Sequence, residues 1–393
     1  MTSEPGRRSL ATQGEFDSAR LSRTGAELAG EISERLELGG QIFVELGGAV
    51  VADAGFGEVR PGTPMRPDHL MLWMSSTKPI AAVAICQLWE RGRLDLDDPV
   101  ARYIPEFAQG GKERVTIRHL LTHTGGVRML ETGWPAASWD EIVARVSAQR
   151  IEPRWEPGRK AGYHLASSWF ILGELVRRLD GRKFEVFARE EIFEPLGAAD
   201  SWIGMPAGRF HAYAGRIAPM FEAPDSSGKL AADQAESPAT SEPRLAAASP
   251  GGNGCGPMRE LALFYRMLLA GGSFAGHRFL LPQTVAALVA RHRVGMLDVT
   301  FRSRLDWGLG VIVNSAHYRE PEMPYGYGPF AGPRTFGHSG ARSSTGFADP
   351  DAGLVVALAV NGMPGEEIHR RRFERVLAAL YEDLGLARGA EER

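Results

Sequence analysis

The sequence predicts an α+β fold in which one antiparallel sheet, built from both ends of the chain, is flanked by terminal helices and interrupted by a mainly helical domain. Three observations predict it. Near the start, QIFVELGGAVVADAGFG places two β-rich runs, 42–46 and 49–54, on either side of Gly47-Gly48, a hairpin signal. Near the end, STGFADPDAGLVVALAVN places a turn at Asp349, Pro350, Asp351 and Gly353 before an almost continuously apolar run over 354–360. Between them, helical periodicities recur at about 76–90, 116–122, 139–149, 167–180, 183–192 and 257–271, separated by Gly-, Pro- and Ser-rich connections.

In chain order, residues 1–14 read as a flexible start. A first helix is expected over 17–38, with Leu21, Leu28, Ile32 and Leu36 on one stripe. Residues 15–74 and 280–388 then form the discontinuous sheet domain, and 75–279 the helical one. The cleft at their junction is the expected place for a site. The apolar 354–360 run belongs in the middle of a sheet or under a helix, because both of its faces must be dry. Residues 221–250 carry no sustained period and are either a long surface excursion bordering a site or a disordered insertion. The last helix spans about 366–384, with Phe373, Val376, Leu377, Leu380 and Leu384 on its apolar stripe. Arg370, Arg371, Arg372 and Arg375 form its solvated face.

Composition narrows the function. The 393 residues hold 45 Lys and Arg against 48 Asp and Glu, a net charge of -3, so a basic nucleic-acid footprint is not expected. No apolar run is long enough for a membrane span, and the first residues lack the apolar stretch of a secretory signal, so a cytoplasmic protein is expected. Two cysteines, Cys86 and Cys255, cannot build a disulfide framework, and Cys86 sits in an apolar helical run as a buried thiol.

The chemistry concentrates at Trp73-Met74-Ser75-Ser76-Thr77-Lys78-Pro79-Ile80, which opens a strong helix; Pro79 suits its first turn. Three residues apart, Ser75 and Lys78 share a helix face, and the helix start points free N–H groups at the site. A serine hydroxyl needs a base. Lysine serves only if its pKa falls from about 10.4 to about 7–8, a bias of about 4 kcal/mol against the charged form that burial can supply. S-x-x-K alone is a weak signal. What strengthens it is the bulky apolar approach of Leu72-Trp73-Met74 and a nearly charge-free helix, where an unpaired lysine is costly.

At these residues the chain resembles the class C β-lactamase-like serine hydrolases of the β-lactamase and penicillin-binding-protein superfamily, over about residues 15–385. The motifs are Ser75 with Lys78, then Tyr163-His164-Leu165 after the Pro157-Gly158 turn, then His338-Ser339-Gly340 within FGHSGARSSTG; residues 117–126 and 250–272 also look like family stretches. The resemblance implies a β-lactamase/transpeptidase-like fold in which Ser75 is acylated, Lys78 takes or relays its proton, and Tyr163 moves protons to and from the nucleophile and leaving group. It implies an oxyanion hole from the main-chain N–H groups of Ser75 and Ala341. His338, Ser339, Gly340, His164 and Trp155 would line the substrate pocket. Trp134, Trp155, Trp307, Tyr325 and Tyr327 are candidates for an aromatic wall, each equally at home in core or surface.

Two departures shape the functional reading. Leu165 stands where the family has Asn, leaving His164, Ser167 or Ser168 as substitutes, and His338 stands where others have Lys. A mostly neutral imidazole is a weaker anchor for a substrate carboxylate than an ammonium. The expectation is therefore a serine carboxylesterase or transacylase acting on a small-molecule ester or amide, with water or a small nucleophile as acceptor, in the manner of secondary metabolism. A β-lactamase or D-amino-acid-specific peptidase is the alternative, and a slowly acylated binding protein a third reading. No G-x-S-x-G, G-x-G-x-x-G or H-E-x-x-H occurs. His119 and His123 lack a third ligand at recognisable spacing, so neither a metal nor a cofactor is expected.

Overall fold

The structure is a computed structural model that describes residues 10–320 and 323–387. Its principal strands are β1 (Thr12–Phe16), β2 (Gly39–Leu46), β3 (Ala49–Arg60), β4 (Met71–Met74), β5 (Gly254–Gly256), β6 (Asp306–Trp307), β7 (Ile312–Val313), β8 (Phe336–Gly340), β9 (Ser344–Asp349) and β10 (Leu354–Val360). Its principal helices are α1 (Ser22–Ser33), α2 (Lys78–Glu90), α3 (Ile117–Leu121), α4 (Trp139–Ala148), α5 (Ser167–Asp180), α6 (Met258–Leu269) and α7 (Glu366–Asp383).

The main sheet runs β1-β3-β2-β10-β9-β8-β7-β6, every neighbour antiparallel. The β2–β3 hairpin closes through Gly47 and Gly48, both at positive φ, 59° and 85°, as a two-residue primed turn requires. Ends distant in sequence meet where β10 pairs with β2, from Leu354 opposite Leu46 to Val360 opposite Gly40. Every β10 side chain is buried, and alternation divides them between two cores. Val355, Ala357 and Ala359 join the cluster containing α2, α5 and α6, whereas Leu354, Val356, Leu358 and Val360 join the one containing α1 and α7. That two-sided burial is why the run reads as continuously apolar. The helices between the two halves of the sheet form the inserted region, in which α2 packs against α5.

Several expectations are corrected. The first helix is shorter than 17–38. At its start, the Asp17 carboxylate accepts the Arg20 N–H at 3.0 Å in a separate turn; at its end, Arg35 turns left-handed at φ 63°. Thr12–Phe16 is an edge strand on β3, so order begins before residue 14; residues 1–9 lie outside the described residues. Helices at Ala207–Tyr213 and Pro282–Val289 were not anticipated. The 221–250 stretch is a structured excursion: Phe221–Glu222 pairs in parallel with Gly362–Met363, and helix Glu242–Ala246 buries Leu245.

Arg372 does not belong to a solvated face. It is fully buried, ion-paired with the equally buried Glu37 at 2.6 Å, and donates to the carbonyls of Gly362 at 2.9 Å and Arg342 at 2.8 Å. It thereby ties α7 to the end of α1 and to the turn after β8. Removing one partner of a buried pair strands the other, at a cost of about 3–5 kcal/mol. Arg372→Met is expected to lower stability by that amount in urea unfolding; an unchanged midpoint would show that the pair does not hold these elements.

Candidate active site

The site begins with a strained bend. β4 ends at Met74, whose φ of 50° and ψ of -135° are costly for a side chain of its size. The bend turns the chain out of the β4–β5 ladder into the single 3-10 turn Ser75–Thr77, which runs directly into α2. Its surroundings hold it there. Thr77 Oγ1 donates to the Met74 carbonyl at 2.6 Å and accepts the Gly254 N–H at 2.8 Å. Ser344 Oγ donates to the Trp73 carbonyl at 2.7 Å, and Ser76 Oγ to the His338 carbonyl at 3.0 Å, which docks β8 and β9 on the turn. Gly340 makes this docking possible, since a Cβ there would run into the Trp73 carbonyl and the Ser344 hydroxyl.

Ser75 is 8% exposed and Lys78, one turn on, is 0% exposed. Lys78 Nζ lies 2.9 Å from Ser75 Oγ and donates to the Gly251 carbonyl at 2.7 Å. The faces of the Tyr163 and Trp169 rings are 5.1 and 5.4 Å from the amine. Burial alone drives its pKa well below the usual lysine value. When neutral, the nitrogen carries a lone pair that can receive the Ser75 proton.

Tyr163 OH donates to Ser75 Oγ at 2.8 Å, so the two predicted partners converge on one oxygen. Burial raises the phenol's pKa above 10 and keeps it protonated. Its main chain is anchored by Asp298, whose Oδ1 accepts the N–H groups of Tyr163 at 3.1 Å, Thr300 at 2.9 Å and Phe301 at 3.1 Å. Asp298 is itself paired with buried Arg293 at 3.1 Å. Phe301 and His123 pack against the Tyr163 ring, each with centroids 4.7 Å away.

The other expected residues fall into two groups. His338 is 0% exposed beside Tyr163 and Trp307; its Nδ1–H donates to the Ser339 carbonyl at 2.7 Å, and burial, with the field of Lys78, pushes its pKa down to about 3. It is sealed from water against those two rings. Ser339 and Gly340 lie on β8, and Ala341 begins the partly exposed turn after it. His164 is buried one layer away: its Nε2 accepts the Val127 N–H at 3.1 Å, and burial pushes its pKa to about 3. Trp155 donates to the Thr124 carbonyl at 2.9 Å and reaches the site only through His164, 6.5 Å between rings.

Neither His164, Ser167 nor Ser168 bonds Lys78, and Leu165 is 62% exposed. The second partner of the amine is the main-chain carbonyl of Gly251. That carbonyl is placed by Asn253, whose side chain accepts the Ser249 N–H at 2.8 Å and donates to the carbonyls of Arg244 and Ala247. Sequence reasoning missed this contact, as it missed Asp298; the glycine-rich 250–256 run was the available sign of close backbone approach. Beside the site lies a cavity of about 580 Å³ walled by Phe301, Tyr325, Ser339 and Glu366. Of the other aromatic candidates, Trp307 and Tyr327 are core residues and Trp134 packs at the edge of the helical core. Both cysteines are buried free thiols, and among the described residues no three His, Cys, Asp or Glu side chains are grouped to hold a metal ion.

Comparison with known proteins bears on the fold and the family. Esterase/beta-lactamase LipL of Mycobacterium tuberculosis is 28% identical over 351 residues, 82% of this chain and 77% of its own. Esterase EstB of Burkholderia gladioli is 32% identical over 208 residues, 47% of this chain and 52% of its own. A crystal structure of a family VIII carboxylesterase superposes with a TM-score of 0.78 at 30% identity, over 95% of this chain and all of that one. The profile of the Beta-lactamase family matches residues 28–381, nearly the whole chain, and with the fold built as described the chain belongs to that family.

Proposed function

We propose that this chain is a serine carboxylesterase or transacylase working through an acyl-enzyme on Ser75. The observation that carries the proposal is the convergence of Lys78 Nζ at 2.9 Å and Tyr163 OH at 2.8 Å on Ser75 Oγ, with the amine out of water and bonded to a neutral carbonyl. As Ser75 Oγ attacks the ester carbonyl carbon, neutral Lys78 receives its proton. Charge developing on the carbonyl oxygen is met by the main-chain N–H groups of Ser75 and Ala341. The new ammonium is held by the Gly251 carbonyl and the two ring faces. Tyr163 passes its proton to the departing alkoxide and is reprotonated from Lys78, leaving the acyl group on Ser75. Water or a small nucleophile then attacks that ester while Lys78 and Tyr163 take its proton and return one to Ser75 Oγ. Hydrolysis and transfer differ only in the acceptor. Ser339 and Gly340 form the wall beside the reacting carbonyl.

A β-lactamase is the second reading, and the name of LipL, which joins both activities, favours it. Against it stands His338: an imidazole held neutral on β8 supplies no cation for the carboxylate of a lactam or peptide terminus. A short-chain p-nitrophenyl ester is therefore expected to turn over and a chromogenic cephalosporin to persist. Ser75→Ala should abolish ester turnover in a folded protein; undiminished turnover would rule Ser75 out. Lys78→Ala should slow acylation by about 10²- to 10⁴-fold.

The pH dependence follows from the same contact. Acylation needs the uncharged amine, so its rate should rise with pH as Lys78 loses its proton and level off once it has. Because burial lowers that pKa, the rise should finish well below the usual lysine value of about 10.4. Stopped-flow acylation rates still climbing through pH 10 would contradict this assignment.

A further inference from the structure

Large apolar side chains stand exposed at only seven of the described positions: Val50, Met129, Leu165, Val186, Val294, Leu297 and Val299. Single exposed apolar residues are ordinary, but grouping is not. Four of the seven come from three segments of chain that hydrogen bonds lace together around Tyr163. Leu165 follows His164, which accepts the Val127 N–H. Leu297 and Val299 flank Asp298, the carboxylate that holds the Tyr163 N–H; Val299 itself donates its N–H to the Ala161 carbonyl at 3.1 Å. Met129 follows Arg128, whose guanidinium donates to Thr300 Oγ1 at 2.7 Å, and Thr300 Oγ1 donates in turn to the Tyr163 carbonyl at 3.3 Å. In the short pairing of Leu297–Asp298 with Ser303–Arg304, the inward side chain is Asp298; Leu297 and Val299 are left outside.

We infer that Met129, Leu165, Leu297 and Val299 form an apolar collar at the mouth of the Ser75 site, and that it takes the hydrocarbon chain of the substrate ester. The inference rests on the acyl-enzyme reading and names its substrate class. Phe301, packed on Tyr163 and facing the adjoining cavity, continues the collar inward toward the nucleophile. The neutral state of His338 on β8 is consistent with an uncharged substrate. Collar residues half in water can bury only part of a chain. The gain per methylene is therefore expected to be about twofold, below the roughly fourfold ceiling of complete burial.

Two ester series distinguish the side of the ester that lies on the collar: p-nitrophenyl esters from acetate to hexanoate vary the acyl chain, and alkyl acetates from methyl to hexyl vary the alcohol. In at least one series kcat/KM should rise about twofold per methylene. In Leu165→Asn and in Leu297→Asn the ratio of the longest to the shortest member should fall several-fold, and in the control Val186→Asn it should not. A third arm needs no turnover. Binding of n-alkyl methyl ketones, followed by calorimetric titration, should tighten with chain length in the wild type and lose that dependence in the two collar variants. Flat ester series with acetate still hydrolysed, or a ketone slope unchanged in both variants, would overturn the collar. A ketone slope that behaves as expected, in a protein that hydrolyses no ester, would uphold the collar and overturn the acyl-enzyme reading instead.

Discussion

The Lys78 amine lies wholly out of water, 2.9 Å from the Ser75 hydroxyl, and its other hydrogen-bond partner is the Gly251 carbonyl rather than a carboxylate. The balance of the site rests on that contact. A carboxylate partner would stabilise the ammonium and remove the base; water would do the same. A carbonyl oxygen and two aromatic faces do neither, and in the proposed mechanism they would hold the cation formed when Ser75 gives up its proton. The amine is thus poised by what surrounds it.

Much of the neighbouring structure keeps these groups in register. The left-handed Met74 raises Ser75 out of the β4–β5 ladder, and the hydroxyls of Thr77, Ser76 and Ser344 clamp the bend on three sides. On the opposite wall, one buried carboxylate, Asp298, gathers three N–H groups and fixes the segment from which Tyr163 reaches the serine. The buried histidines around the amine, His123, His164 and His338, are all pushed toward their neutral forms by burial, so they add no competing charge. Arg372 supports the far side by holding the turn that carries Ala341 through the Arg342 carbonyl.

What the sequence revealed, and what it hid, follows the kind of interaction involved. Ser75 and Lys78 were legible because one helical turn separates them and side-chain chemistry marks both. The β2–β3 hairpin and β10 were legible because Gly47-Gly48 and the unbroken apolar run have few alternatives. Tyr163 was legible only through its motif: 88 residues separate it from Ser75, and no periodicity links them. Gly251 was hidden because it contributes a main-chain oxygen, which any residue carries. Asp298 was hidden because an acidic residue in a loop looks like a surface one until its carboxylate is seen collecting N–H groups. Arg372 misled for a related reason: within a basic run, three arginines meet acids of α7 or α1, and the fourth turns inward to Glu37. The β1 strand is short and has a mixed burial pattern, so it exists only because β3 offers it an edge.

The protonation of Lys78 can be observed directly. In protein labelled with ¹³C at the lysine Cε, assigned by loss of the signal in Lys78→Arg, the Cε shift followed against pH gives the titration of this amine. A midpoint displaced well below the usual lysine value of about 10.4 is the predicted result. A midpoint at or above that value would leave the amine charged at neutral pH and contradict its proposed role as the base that activates Ser75.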